Sequence, residues 1–259
     1  PNVLKLCKLA DIVFLALHGA DGEGGTVQAA FDLLRIPYTG SGHLGSAMAM
    51  DKGVTKAMFQ MRGVSTPGGK SMKKKDRQDS LAALGMEFPV VVKTCCGGSS
   101  IGVYIVDDQE AYQKALDEAF EYENEVVVEE FVEGVEYTVA VVDGKAYPVV
   151  QIVPVQGFYD YENKYKPGAV QETCPAPISE ELTKRLQEAA VDGYHALEME
   201  SYARLDFIVT EDEKIYCLEA NTLPGMTPTS LIPQEAAVLG MDYPTLCEEL
   251  IRVSQKKYE

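Results

Sequence analysis

Basic residues are scarce in this chain: 23 Lys+Arg stand against 40 Asp+Glu, a formal net charge of −17 at pH 7. So acidic a surface repels phosphate backbones and anionic headgroups, which argues against nucleic acid and membrane as partners. Long apolar runs are missing as well; none approaches the ~20 residues of a membrane span, and the first residues carry no secretory-signal pattern. Paired cysteine spacings are also absent. Cys7, Cys95, Cys96, Cys174, Cys217 and Cys247 include no CxxC and no neighbouring His cluster, so reduced, mostly buried thiols in a cytoplasmic protein are expected. What is present is 259 residues, 46% of them hydrophobic, enough for a substantial core divided into two or three parts.

Chemistry concentrates in residues 202–233. Two β-like runs, YARLDFIVT (202–210) and IYCLEAN (215–221), flank the polar tetrapeptide EDEK (211–214), which suits a hairpin loop. A four-residue loop sets Thr210 opposite Ile215, Asp206 opposite Glu219 and Arg204 opposite Asn221. Side chains alternate along strands, so Arg204, Asp206, Glu219 and Asn221 share one face. Ala203, Leu205, Phe207, Val209, Tyr216, Leu218 and Ala220 share the other. Two directly opposed carboxylates sit roughly 5 Å apart and repel. Solvation, protonation of one, or a divalent cation between them would each relieve this, and Asp206, Glu219 and Asn221 offer the oxygen ligands that hard cations take. Beyond Asn221, TLPGMTPTSL is punctuated by Gly and Pro. It ends with Ser230 and Leu231 at the start of an apolar helix, a natural seat for an anion.

Upstream, residues 11–17 (DIVFLAL) read as a buried strand breaking at His18 into a Gly-rich turn, where α/β architectures hold ligands. Residues 26–34 are helical by periodicity and 36–38 a short strand. GSGHLG (40–45) fits GxGxxG but lacks the long preceding strand and the later acid of a dinucleotide site. GVSTPGGKS (63–71) puts five residues between Gly63 and Gly69 where a P-loop has four, and reads as a flexible basic linker. Between them, residues 46–61 form a helix carrying Lys52. FPVVVKTCCGGSSIGVYIV (88–106) is two apolar strands around a Gly-Ser loop. Gly97 and Gly98 let successive N–H groups face one anion, and Lys93 ends the first strand beside them, an arrangement for holding a triphosphate. Residues 108–121 are helical, and EVVVEE (125–130) is a strand whose edge can hydrogen-bond a flat ring. Asp143-Gly144 marks a tight hairpin turn, 155–170 a long functional loop, and 178–197 and 243–253 amphipathic helices.

RLDF followed by LEANTLPGMTPTSLIP resembles the C-terminal signature of the D-alanine–D-alanine ligases in the ATP-grasp superfamily, and the resemblance runs collinearly from about Asp11 to the last residue. It implies an α/β (α+β) ATP-grasp fold: an N-terminal α/β domain remnant over 1–45, a central lid over 46–128 and a C-terminal catalytic domain over 129–259. It implies ATP and two magnesium ions, or manganese in their place, on Asp206, Glu219 and Asn221. Lys52, Lys93 and Lys164 would lie on phosphates, with Ser100 in the loop that closes over ATP. Glu129 and the backbone of Glu130 and Val132 would meet the adenine, and Glu136 the ribose. His18 would lie near the first D-alanine's carboxylate, Ser99 would organise hydrogen bonds at the substrates, and Tyr165 would reach the substrate side from the 155–170 loop. Arg204 and the Gly225 N–H would hold an oxyanion, and Ser230 with the Leu231 N–H the second D-alanine's carboxylate. The implied reaction is ATP-dependent synthesis of D-alanyl-D-alanine for peptidoglycan through an acyl phosphate, with a homodimer left open. Family members carry a further N-terminal strand, a glycine turn and a Glu that helps bind the first substrate, so the chain is expected to begin inside that domain. Gly24 stands where the family usually has an acid or amide. D-alanine–D-lactate ligation, another carboxylate–amine ligation and a nucleotide-binding but silent protein stay open at this point; Tyr165 favours the dipeptide.

Overall fold

Valines at alternate positions build the smaller of two antiparallel sheets. The computed structural model describes residues 2–98, 102–154 and 170–259. This sheet has the order β1 (Gly69–Lys73), β4 (Glu125–Glu130), β2 (Val90–Thr94), β3 (Val103–Val106). Val90 and Val92 of β2 and Val126 and Val128 of β4 pack against Tyr112, Leu116, Ala119 and Phe120 of the helix Gln109–Tyr122. Asp108 starts that helix, its carboxylate accepting the Ala111 N–H at 2.8 Å. Period-2 alternation leaves Lys93 and Glu129 on the opposite face. Two expectations are corrected here. Residues 69–73, read as linker, are the edge strand β1, with Ser71 opposite Val127; the lysines that hid its strand character are a common means of protecting an edge. As a result 125–130 lies inside the sheet, between β1 and β2, and is not an edge.

The larger sheet runs β10 (Ile215–Asn221), β9 (Tyr202–Val209), β5 (Val135–Val142), β7 (Val150–Pro154), β8 (Val170–Thr173), with β6 (Lys145–Ala146) also on β5. Val139, Val141, Leu205 and Phe207 form one face. They pack against Leu186, Ala190 and Tyr194 of the helix Glu180–Ala196 and against Phe59 of the helix Lys52–Arg62. Full burial of such side chains stabilises by about 1.5–3 kcal/mol each. On the opposite face, among the described residues, helices pack at one end. There Ala140, Val142 and Tyr202 lie under Ile232 and Ala236 of the helix Leu231–Val238 and under Leu246 and Leu250 of the helix Tyr243–Gln255. Asp143 and Gly144, at φ 54° and 71°, make the two-residue turn into β6, as their sequence predicts.

Three further expectations change. Residues 46–61 are two helices, His43–Met50 and Lys52–Arg62, broken at Asp51, whose carboxylate accepts the Val54 N–H at 3.0 Å and restarts the chain. Residues 11–17 are no ladder strand: a single parallel bridge joins Val13 to Tyr38, and of that run only Leu15 is buried. One neighbour pairing at one residue cannot impose a strand's two-sided burial, and 36–38 is limited by the same bridge. Ala49 and Phe59 belong to the larger sheet's core, and a boundary at 128/129 would cut β4, so the smaller sheet runs from 69 to 130. The N-terminal piece packs Phe31, Leu15, Ile36 and Tyr38 onto Leu223. Of the six cysteines, Cys95 and Cys217 are buried and the other four partly exposed.

Candidate active site

The hairpin of β9 and β10 forms as expected at its working end and differently at its turn. Ile215 pairs with Val209 rather than Thr210, and Cys217 with Phe207. A register shift between Cys217 and Glu219 then restores Glu219 opposite Asp206 and Asn221 opposite Arg204. Thr210 belongs to the loop, its N–H donating to the Lys214 carbonyl at 3.0 Å. The bulge puts Cys217 into the core where alternation had placed Tyr216 and Leu218, both of which are half-buried.

Asp206 is the hub of the working face. Arg204 donates to both of its oxygens, Nε at 2.9 Å and Nη2 at 2.8 Å, Asn221 Nδ2 donates at 2.9 Å, and Thr138 Oγ1 on the neighbouring β5 at 2.5 Å. A fork of this kind fixes both position and charge. Glu219, one third exposed, is 3.7 Å from Lys52 Nζ. With Nδ2 turned to Asp206, Asn221 keeps its amide oxygen for another partner. Two carboxylates and an amide oxygen on one face are an oxygen-only donor set that fits a hard divalent cation.

Lysines face this group. Lys52 donates its N–H to the Cys95 carbonyl at 2.9 Å and its Nζ to the Gly97 carbonyl at 2.6 Å, joining the glycine loop after β2 to the face that carries Glu219. Lys93 ion-pairs with Glu129, and so does Lys56, at 2.6 Å. Burial pushes the Glu129 carboxyl up, but Lys93 and Lys56 together hold it below the ordinary carboxylate range. Burial holds Lys56 below the ordinary lysine range, with Glu129 opposing. Sequence reasoning missed Lys56, although its spacing from Lys52 puts both on one helix face. It missed Thr138 too, and Glu235. Glu235 is fully buried and accepts the N–H of Ala140, the register partner of Arg204, at 2.8 Å. Its Oε1 has no hydrogen-bond partner among the described residues, and burial pushes its carboxyl well above the ordinary range.

Around this centre the remaining positions fall as follows. Glu130 donates its N–H to the Gly68 carbonyl at 2.8 Å and Phe131 to Pro89 at 3.3 Å, so Val132 alone of these three keeps an unpaired N–H among the described residues. Glu136 shares the Thr138 face of β5, opposite Ile208. Gly225 also keeps an unpaired N–H among the described residues. Ser230 is the N-cap of Leu231–Val238, but its Oγ turns back to accept the Thr227 N–H at 3.0 Å; the Leu231 N–H is a first-turn donor. His18 is two thirds exposed, its Nδ1 3.4 Å from Glu23 Oε1. Glu23 was another omission; its carbonyl accepts Thr222 Oγ1 at 3.3 Å, which ties the His18 turn to the residue after Asn221. The thiols of Cys95 and Cys96 are pushed up to about 12 and about 11, chiefly by burial, in keeping with packing rather than reactivity. Ser99, Ser100, Lys164 and Tyr165 lie outside the described residues.

An oxygen-lined acidic face approached by Lys52 from a helix start, with a glycine loop from the smaller sheet tied to the same lysine, is a nucleotide-handling arrangement, and comparison with known proteins agrees. The family described as D-ala D-ala ligase C-terminus matches residues 52–252, and D-ala D-ala ligase N-terminus matches residues 2–41. The chain belongs to the D-alanine–D-alanine ligase family. The D-alanine–D-alanine ligase of Syntrophotalea carbinolica is 45% identical over 241 residues, 93% of this chain and 78% of that protein. That of Pediococcus pentosaceus is 43% identical over all 259 residues, 73% of its own length. The D-alanine–D-alanine ligase of Bacillus anthracis complexed with ATP superposes with a TM-score of 0.87 at 35% identity, covering 98% of this chain and 82% of that one. VanG D-Ala:D-Ser ligase of Enterococcus faecalis gives 0.87 at 33% identity, over 95% and 73%. The fold is therefore the ATP-grasp fold of these ligases. Among the described residues no helix is long and apolar enough to cross a membrane.

Proposed function

We propose that this chain joins two D-alanines into D-alanyl-D-alanine for peptidoglycan with ATP as the energy source, in the cleft between the two sheets. The observation that carries the reading is the approach of Lys52 to Glu219 at 3.7 Å, which brings a lysine suited to a triphosphate against the Asp206–Glu219–Asn221 face. An amine does not displace a carboxylate oxygen at neutral pH, so the first D-alanine must be activated. Its carboxylate takes the γ-phosphoryl group of ATP, giving an acyl phosphate and ADP. The free amine of the second D-alanine adds to the acyl carbon, and the tetrahedral oxyanion collapses with loss of phosphate.

Each residue then has a role that its chemistry allows. Lys52 and Lys93 neutralise phosphates, with Lys164 joining them, and Ser100 lies in the loop over them. The Val132 N–H and the Glu130 backbone bind the adenine edge, Glu129 its amino group, and Glu136 the ribose. Asp206, Glu219 and Asn221 would hold magnesium or manganese, which supplies charge neutralisation at the transferring phosphoryl group. Arg204, held by Asp206, and the Gly225 N–H face the developing oxyanion. His18 orients the first carboxylate, Ser230 and the Leu231 N–H the second, and Ser99 and Tyr165 complete the substrate side.

The test is incubation of the chain with ATP, magnesium and D-alanine, following phosphate release and product mass, with D-lactate or D-serine added as competing acceptors. D-alanyl-D-alanine as the main product is expected. ATP binding without turnover, or a depsipeptide or D-alanyl-D-serine product in preference, would refute the reading.

A further inference from the structure

Buried charges cluster at a point in the cleft that the reaction scheme leaves incomplete. Glu129 is 3% exposed and meets Lys93 on one oxygen and Lys56 on the other, the latter at 2.6 Å. The two lysines come from different elements. Lys93 stands on β2, diagonal to Glu129 on β4 and on the same face. Lys56 reaches in from the helix Lys52–Arg62. It is fastened there, with Nζ also donating to the Pro67 carbonyl at 2.7 Å and to Thr66 Oγ1 at 3.2 Å. Its side chain is 8% exposed. A buried lysine that holds two hydrogen-bond acceptors and ion-pairs with a carboxylate is committed to the protein, which sets it apart from a phosphate-binding lysine. Lys93, by contrast, is next to last in β2, which leads into the glycine loop that includes Gly97.

Resting on the reading of this cleft as a nucleotide site, we infer that Lys56 is a positioning residue for ATP: it is the permanent counter-ion of Glu129, which allows Lys93 to exchange Glu129 for a phosphate oxygen. With Lys56 absent, that exchange would strand a buried carboxylate without a cation. Glu129 would then either keep Lys93, leaving the triphosphate one cation short, or take up a proton. A carboxylate accepts the exocyclic amino group of adenine, whereas a protonated carboxyl donates to a 6-oxo group. Lys56 therefore acts on two properties, affinity for the triphosphate and preference for a 6-amino over a 6-oxo purine. It touches neither D-alanine nor the reacting atoms.

The experiment is titration calorimetry of the full chain, wild type and Lys56→Met, with ATP and with inosine triphosphate in magnesium buffer. Steady-state KM for ATP and for D-alanine is measured alongside. Lys56→Met is expected to weaken ATP binding by about tenfold or more, the scale of one charge-assisted contact, with a smaller loss for inosine triphosphate and an unchanged KM for D-alanine. Adding Glu129→Gln to Lys56→Met removes the stranded charge and should recover part of the triphosphate affinity, and Lys56→Arg should retain most of it. If Lys56→Met alone does not fold, the double variant and Lys56→Arg carry the test. Unchanged ATP affinity in a folded Lys56→Met, equal losses for both nucleotides, or a parallel rise in the D-alanine KM would each overturn the proposal. Because the titrations read binding without turnover, absence of ligase activity in the wild type would count against the function proposed above, remove only the KM comparison and leave the two nucleotide titrations to decide this inference.

Discussion

Replacing Glu219 by Gln separates a functional carboxylate from a structural one. The side chain is about one third exposed, and its ion pair with Lys52 is long, at 3.7 Å. Such pairs contribute about 0–1 kcal/mol. The change also relieves the opposition with Asp206 across the hairpin, an effect of roughly 0.2–1 kcal/mol in the other direction. The two nearly cancel, so the thermal midpoint should move by no more than about 2–4 °C. Turnover responds differently. If Glu219 helps hold the cation that neutralises the transferring phosphoryl group, its loss is comparable to removing one preorganised electrostatic contact, ~2.7–4 kcal/mol, or about 10²–10³ in kcat. The assay is ADP release with D-alanine and saturating ATP, paired with a melting curve on the same sample. Turnover within about threefold of wild type would remove Glu219 from the cation site. A melting midpoint lowered by roughly 10 °C would instead give the residue a structural role.

Asp206→Asn should fail on both measures: it puts an amide against a guanidinium fork whose Arg204 side chain is 11% exposed, costing about 2–4 kcal/mol as well as turnover, by the same paired assay. Phe59→Ala empties a fully buried site between the helix bearing Lys52 and the larger sheet's core and should cost ~3–5 kcal/mol in denaturant unfolding. Glu235 gives a pH signature. Its folded pKa lies above the ordinary 4.5, so the folded state holds a proton that the unfolded chain releases, and stability falls as pH rises above that value. Glu235→Gln removes this term, and the variant's melting temperature should gain on wild type between pH 5 and pH 8; parallel curves would show that Glu235 titrates alike in both states.

Much of this protein is decided locally. Alternation along 202–210 and 215–221 placed Arg204, Asp206, Glu219 and Asn221 on one face, because in a strand that is a property of backbone geometry alone. The Asp143-Gly144 turn was legible for the same reason, depending on a few adjacent dihedrals. Other features required the whole chain. The bulge before Glu219 compensates a one-residue slip at the turn, and Cys217 rather than Tyr216 or Leu218 became core once Phe207 was its partner. Residues 69–73 became a strand because β4 offered them a partner, and residues 11–17 failed to become one because Tyr38 offered a single bridge. The cluster of Lys56, Glu129 and Lys93 and the carboxyl of Glu235 against Ala140 join residues 36 to 95 positions apart. Sequence supplies each charge, but which charges meet, and how deeply they are buried, depends on how two sheets and a helix pack, and long-range packing sets the electrostatic energy of such groups.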